Sequence, residues 1–358
     1  MKIYTIDVRK QVSALMDQVH QQESVNAERL IMHIQILTPA LAGSRAGNRA
    51  TAERWATLLR KAGHRVSVVT ELSSADCDVF IALHAWRSHE AIREFSRIKP
   101  SVPVITALTG TDIYHHQLEY PQETHRSMAL ADALIGLHHL VAHDIPDTYR
   151  PKLITVLQSA GLITPSRTDH RHFDVCVIGH LRDEKDSLRA AFACHYLPES
   201  SRIRVFNAGK PHSERWQRQA EAEQARNPRF QWLGELDKAA TDALMARSKV
   251  MVISSVMEGG ANVVSEACRA GLPIIASDIP GNRGLLGGDY PGYFRVKDEQ
   301  HLAELLYRAE SSPDYLSQLQ QCVSKLAGEF VPEAEQKALL KAIEVAIANS
   351  KKRLSPEG

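Results

Sequence analysis

The stretch Val250-Met251-Val252-Ile253-Ser254-Ser255-Val256-Met257-Glu258-Gly259-Gly260-Ala261-Asn262-Val263-Val264-Ser265-Glu266-Ala267, with Gly271-Leu272-Pro273 and Ile274 to Ser277 behind it, decides the fold. An apolar strand (Val250 to Ser254) enters a glycine loop, a helix opens near Asn262, and a second apolar run (Ile274 to Ser277) follows. This is a strand–helix–strand unit. Runs that are apolar on every residue belong to parallel strands covered by helices on both faces.

The same alternation extends outward in both directions. Upstream, Phe173 to Ile178, Ile203 to Phe206 and Phe230 to Leu233 read as strands separated by helical stretches. Further upstream, Ile34 to Leu37, Val66 to Val69, Val79 to Leu83, Val104 to Leu108 and Leu153 to Leu157 repeat the theme. Between the first two, Asn48 to Lys61 places Ala52, Trp55, Ala56 and Leu59 at helical spacing, and Gly63 stops the helix. Residues 158 to 172 are polar, contain Pro and Gly and lack any period, which predicts a linker. The expected organisation is an appendage without chemistry over 1–31, a Rossmann-like unit over 32–165, a second over 166–330, and a helical tail over 331–358 that packs back on the first unit. At 358 residues, two domains of about 150 residues each agree with this division.

Composition removes several function classes. Hydrophobic residues make up 44% and charged residues 24%, which excludes wholesale disorder. Lys+Arg (43) nearly equals Asp+Glu (42), so no basic surface announces nucleic acid. No run approaches the ~18 apolar residues of a membrane span, and Met1 to Arg9 lacks the layout of a secretory signal. The five scattered cysteines read as thiols of a reduced cytoplasm, with no metal site among them. The expected location is cytoplasmic.

Two loops carry chemistry. A helix opening at Asn262 aims free N–H groups and its positive dipole end at the space beyond the strand, which suits phosphate. Gly259 and Gly260 would let the backbone approach a ligand, and Glu258 and Glu266 flank the anion site, where carboxylates accept hydrogen bonds from sugar hydroxyls. After the strand Phe173 to Ile178 comes Gly179-His180-Leu181-Arg182-Asp183-Glu184-Lys185. Arg182 and Lys185 there leave the carboxyl end of a strand, where open α/β sheets bind ligands, and can clamp a diphosphate. Neither loop is a Walker motif or a dinucleotide fingerprint, which disfavours a dehydrogenase.

The Glu258–Glu266 spacing, the Arg182/Lys185 loop and the two-unit layout resemble the GT-B glycosyltransferases of the retaining class that carries the E-x7-E motif. That resemblance implies that Glu266 binds the donor ribose and Glu258 the hexose. It also implies that the N–H groups of Asn262 and Val263, with Arg182 and Lys185, hold the diphosphate. Asn207-Ala208-Gly209 and Leu233-Gly234-Glu235 would lie near the base. Gly47 is added to the donor set with Gly209, Gly259 and Gly260. Arg182, Lys185 and Glu258 would be catalytic. In many relatives a bulky pair follows the first Glu, whereas here Gly259-Gly260-Ala261 is small.

The first unit has its own cleft-edge loops: Gly43-Ser44-Arg45-Ala46-Gly47-Asn48-Arg49, Leu83-His84-Ala85-Trp86-Arg87-Ser88 and Leu108-Thr109-Gly110-Thr111-Asp112. Their combination resembles, more narrowly, the selenosugar synthases of selenoneine biosynthesis. That implies transfer from a UDP-sugar, typically UDP-N-acetylglucosamine, to selenophosphate. The acceptor would meet Ser44, Arg45, Asn48, Arg49, His84, Arg87, Thr109, Thr111 and Asp112. No cofactor, obligatory metal, nucleic acid or membrane is expected, and other enzymes of that pathway are the macromolecular partners implied. The alternatives are a hydroxyl-acceptor glycosyltransferase, an epimerase or hydrolase on the same scaffold, and a non-catalytic sugar-nucleotide binder. The pairs His115-His116 and His138-His139 point apart along the chain and read as packing or surface residues.

Overall fold

The computed structural model describes residues 31–43, 47–72, 76–166 and 171–355. The appendage expected over 1–31 lies, apart from Ile31, outside the described residues, as do Ser44 and Arg45.

The described residues form two six-stranded sheets. The first contains β1 (His33–Leu37), β2 (Arg65–Val69), β3 (Val79–Leu83), β4 (Val104–Leu108), β5 (Ala133–Gly136) and β6 (Leu153–Thr155), in the order β2-β1-β3-β4-β5-β6. The second contains β7 (Phe173–Ile178), β8 (Ile203–Ala208), β9 (Phe230–Trp232), β10 (Val250–Ile253), β11 (Ile274–Ser277) and β12 (Tyr293–Phe294), in the order β12-β11-β10-β7-β8-β9. Every pairing is parallel. β3, β4, β5, β10 and β11 are buried at each position, as strands sandwiched between helix layers must be. In each sheet the order reverses beside the first strand of the unit, between β1 and β3 and between β7 and β10. Such switch points open a crevice at the strand carboxyl ends.

The principal helices are α1 (Gly47–Lys61), α2 (His89–Ile98), α3 (Pro121–Leu130), α4 (Glu214–Arg226), α5 (Lys238–Arg247), α6 (Asn262–Arg269), α7 (Pro280–Leu286), α8 (Glu299–Ser311), α9 (Pro313–Leu326) and α10 (Pro332–Leu354). No helix among the described residues is long and apolar enough to cross a membrane. α1 buries Ala52, Trp55, Ala56 and Leu59, the face its spacing marked. α10 belongs to the first sheet although it follows the second: Leu339, Ala342, Ile343 and Ala346 pack into the cluster of Ile34, Ile36, Trp55 and Ile135. The far end of α10 is tied down by Arg353, which forks onto the Asp132 carboxylate at 3.0 and 3.1 Å. The chain therefore crosses between the sheets twice, and the two crossings touch where the Ala160 N–H donates to the Phe330 carbonyl at 3.0 Å.

Candidate active site

A cleft of about 670 Å³ lies between the sheets, walled by Asn48, His84, Arg87, Thr109 and Thr111 on one side and Arg182, Lys185, Glu258, Asn262 and Val263 on the other. Loops that follow β1, β3 and β4 thus face loops that follow β7, β8 and β10, a set that includes the strands on both sides of each switch point. Gly47, Gly209 and Gly260 also line it. So do Thr51, Leu137 and Gln158, which carry no local motif and became visible only when the sheets were assembled.

The second wall is built for an anion. α4, α5, α8 and α9 each begin with a side chain that accepts from the first turn, namely Ser213, Asp237, Asp298 and Ser312. α6 begins after Ala261 with no side-chain cap, as α2, α3, α7 and α10 also do, and its first residues line the cleft. Its opening N–H groups and dipole are left for a ligand. Lys185 reaches the same place and forms an ion pair with Glu258, whose carboxylate also accepts from Ser255 Oγ at 2.5 Å. Arg182 stands half-buried beside them, 3.8 Å from Glu184, and its Nε has no hydrogen-bond partner. Two cations and a bare helix end line the same cleft. An ammonium has three donors, so Lys185 can hold Glu258 and a phosphate oxygen together.

On the same wall, Gly209 sits against the neighbouring loop so closely that a Cβ would fall 1.9 Å from the Gly179 carbonyl oxygen. Only glycine lets these two loops meet. Glu266 lies one turn into α6, half-buried and 3.4 Å from Lys238. Burial raises its carboxyl above the usual range, and the Lys238 ammonium opposes that. Glu235, Leu236 and Thr241 line the outer end of the cleft.

The first wall is made of donors. His84 has φ +73°, a left-handed conformation that is costly for a residue with a Cβ and clusters at functional sites. Its Nδ1 accepts the Arg87 backbone N–H at 3.2 Å, so the ring proton sits on Nε2, which faces Thr111 Oγ1 at 2.9 Å. Burial lowers the His84 pKa and keeps the ring neutral. Thr111, accepting from His84, has its own hydroxyl proton to offer. Arg87 is exposed at the cleft.

Three expectations for this region are corrected. Asp112 is fully buried and does not face the cleft. Its carboxylate is consumed by the N–H groups of Ala85 (2.9 Å), Thr109 (2.9 Å), Gly110 (2.7 Å) and Ile113 (3.2 Å), which lock the β3 and β4 loops together. Arg49 turns along α1 to pair with Glu53 and leaves the cleft wall to Asn48. Gly259 faces the other domain rather than a ligand. A Cβ there would fall 2.3 Å from Thr109 C and 2.4 Å from Gly110 N, so two backbones meet at this position with no room for a side chain. The paired histidines pack as expected at His138, which is buried and joins Tyr114 (2.8 Å) and through it Asp144 (2.7 Å).

Residues 163–326 match the family described as glycosyl transferases group 1. The assembled chain, both sheets included, superposes on Anabaena HepE in complex with UDP and glucose with a TM-score of 0.71 at 15% identity, covering 87% of this chain and 99% of that one. The fold is GT-B. A second GT-B neighbour, sucrose-phosphate synthase of Thermosynechococcus elongatus, gives a TM-score of 0.72 at 14% identity over 88% of this chain and 99% of that one. The pneumococcal O-GlcNAc transferase GtfA, in complex with UDP and GlcNAc, gives 0.61 at 16% identity over 75% of this chain and 57% of that one. In the GT-B frame, the uncapped α6, Arg182 and Lys185 belong to the second domain, and His84, Arg87 and Thr111 face them from the first.

Proposed function

We propose that this protein is a glycosyltransferase that moves a sugar from a UDP-sugar, UDP-N-acetylglucosamine by preference, to selenophosphate. The donor half is supported by the match to group 1 glycosyl transferases and by neighbours bound to UDP with glucose or GlcNAc. In this reading the diphosphate rests on the Asn262 and Val263 N–H groups with Arg182 and Lys185, Glu258 meets the hexose and Glu266 the ribose. The selenium electron pair forms the bond to the anomeric carbon, and the carbon–oxygen bond to the diphosphate breaks. UDP leaves with the electrons of that carbon–oxygen bond, and the sugar is left joined to the selenium of selenophosphate. Charge that grows on the leaving diphosphate is met by preorganised donors, with no obligatory divalent ion.

The acceptor half rests on one observation: the ring nitrogens of His84 are both occupied, Nδ1 as acceptor and Nε2–H toward Thr111. A hydroxyl acceptor must surrender a proton, and among its described residues the first wall holds no free base to take it, since Asp112 is sealed beneath the loops. Selenophosphate arrives ionised and asks for donors and cations, which Asn48, Arg87, Thr109 and Thr111 supply. The hydroxyl-acceptor reading finds its support in Glu258, a carboxylate in the cleft, although Lys185 already neutralises it. Incubating the enzyme with UDP-N-acetylglucosamine and selenophosphate separates the readings. A selenium-bearing sugar detected by mass spectrometry is the expected product. UDP release with sugar acceptors alone would transfer the case to a hydroxyl-acceptor enzyme.

A further inference from the structure

Glu335, in the first turn of α10, is 1% exposed and carries four donors. Arg54 Nε donates to both its oxygens (2.9 and 3.1 Å), Trp55 Nε1 donates at 2.8 Å, and Ser159 donates through its N–H (2.8 Å) and its hydroxyl (2.5 Å). This one carboxylate thus gathers α1, the first domain crossing at Ser159 and the second crossing at the start of α10. A buried carboxylate with every lone pair used is rigid and costly to disturb.

The guanidinium held there also reaches across the domain boundary. Arg54 Nη1 donates to Asn262 Oδ1 at 3.1 Å. Gln158 joins the same cluster. With its amide nitrogen toward the Gly260 carbonyl (2.7 Å) and Asn262 Oδ1 (3.2 Å), its oxygen accepts from Thr51 (2.6 Å) and Arg54 Nη2 (3.2 Å). Asn262 is the first residue of α6, and its side chain is therefore spent on the opposite domain while its N–H faces the cleft. Arg54 does not line the cleft and touches no ligand position.

We infer that Arg54 is a positioning residue for the donor site: braced on Glu335 at the crossing of the two domains, it fixes the first turn of α6 through Asn262. The planar fork matters more than the charge, because one edge is committed to Glu335 while the other spans to Asn262 and Gln158. Lysine would keep the ion pair and lose the span.

The location of the ligand rests on the UDP-sugar reading, but the brace itself does not, so two measurements separate them. In the ligand-free protein, Arg54→Lys and Asn262→Ala should each speed amide exchange at residues 262–265 while leaving exchange in the β10 and β11 strands unchanged. By calorimetry, each should weaken UDP binding by roughly 5- to 10-fold, and the double variant should be no worse than either single one, since both break one linkage. Asn262→Ala retains the backbone N–H, so it stays informative if Arg54→Lys folds poorly. Unchanged exchange at 262–265, or UDP losses that multiply in the double variant, overturns the brace. Faster exchange with no UDP binding by the wild type leaves the brace standing and removes the sugar-nucleotide reading.

Discussion

Replacing Gly259 with alanine tests whether the two domains must meet backbone to backbone for turnover. The added Cβ would lie 2.3 Å from Thr109 C, 2.4 Å from Gly110 N and 2.4 Å from Thr109 O, all backbone atoms, so no side-chain rotation relieves the clash. Non-bonded carbon contacts settle near 3.5 Å or beyond, which forces the loops apart by roughly 1 Å. Thr109, Thr111 and His84 sit on the displaced side, and the donor groups Lys185, Arg182 and Asn262 sit on the other. A misplacement of about 1 Å between reacting partners costs on the order of 100-fold in kcat. UDP binding should weaken by no more than the roughly 5- to 10-fold expected for loss of the Arg54–Asn262 link, because its direct contacts lie within one domain, and each domain keeps its own apolar cluster and so its fold. The assay pairs UDP-release kinetics with calorimetric UDP binding, and Gly288→Ala, where a Cβ meets nothing within 4 Å, serves as control. Wild-type turnover in Gly259→Ala would refute the argument that this contact sets the distance across the cleft.

Other outcomes follow from the same geometry. Arg182→Ala and Lys185→Ala should lower kcat more than they weaken UDP binding, because the diphosphate gains charge as the bond breaks; equal kcat values in the variants and wild type would remove both from the leaving group. Glu266→Ala should weaken UDP binding by ~1.5–3 kcal/mol with a smaller effect on kcat, read by calorimetry beside steady-state rates. Arg87→Ala should raise acceptor KM and leave UDP affinity intact, whereas a loss of UDP affinity would place Arg87 at the donor. Burial pushes the His138 imidazole from its usual 6.5 down to about 4. Below 6.5 the unfolded chain binds a proton that the folded chain refuses, so stability should fall from pH 6.5 toward 4 by up to about 1.4 kcal/mol per pH unit. Urea unfolding across that range should show the slope, and His138→Gln should flatten it.

Much of the architecture was legible because parallel strands sandwiched by helices leave uninterrupted apolar runs; β3, β4, β7 and β11 start and stop where those runs do. β5 and β12 escaped the reading. β5 is four residues long and follows α3 after only two residues, so its apolar run looks like a helix ending. β12 has two residues and exists because Ser277 of β11 pairs with Phe294. At the cleft, residues on strand-end loops could be read from their motifs. What could not be read were the roles set by distant partners. Asp112 looked like a cleft carboxylate until Ala85 closed over it, and Arg54, Gln158 and Glu335 acquire meaning only across separations such as the 281 residues between Arg54 and Glu335.

The return of α10 to the first sheet bears on how the protein is born. Synthesis runs from the amino end, and domains often consolidate as they leave the ribosome. Here the first sheet cannot do so alone. Until Leu339, Ala342 and Ile343 have been made, the apolar patch around Ile34, Trp55 and Ile135 stays open to water, while the second sheet already has every strand it needs. The domain made first is thus completed last, and a nascent chain stalled before α10 presents a sticky, half-covered sheet of the kind that chaperones hold.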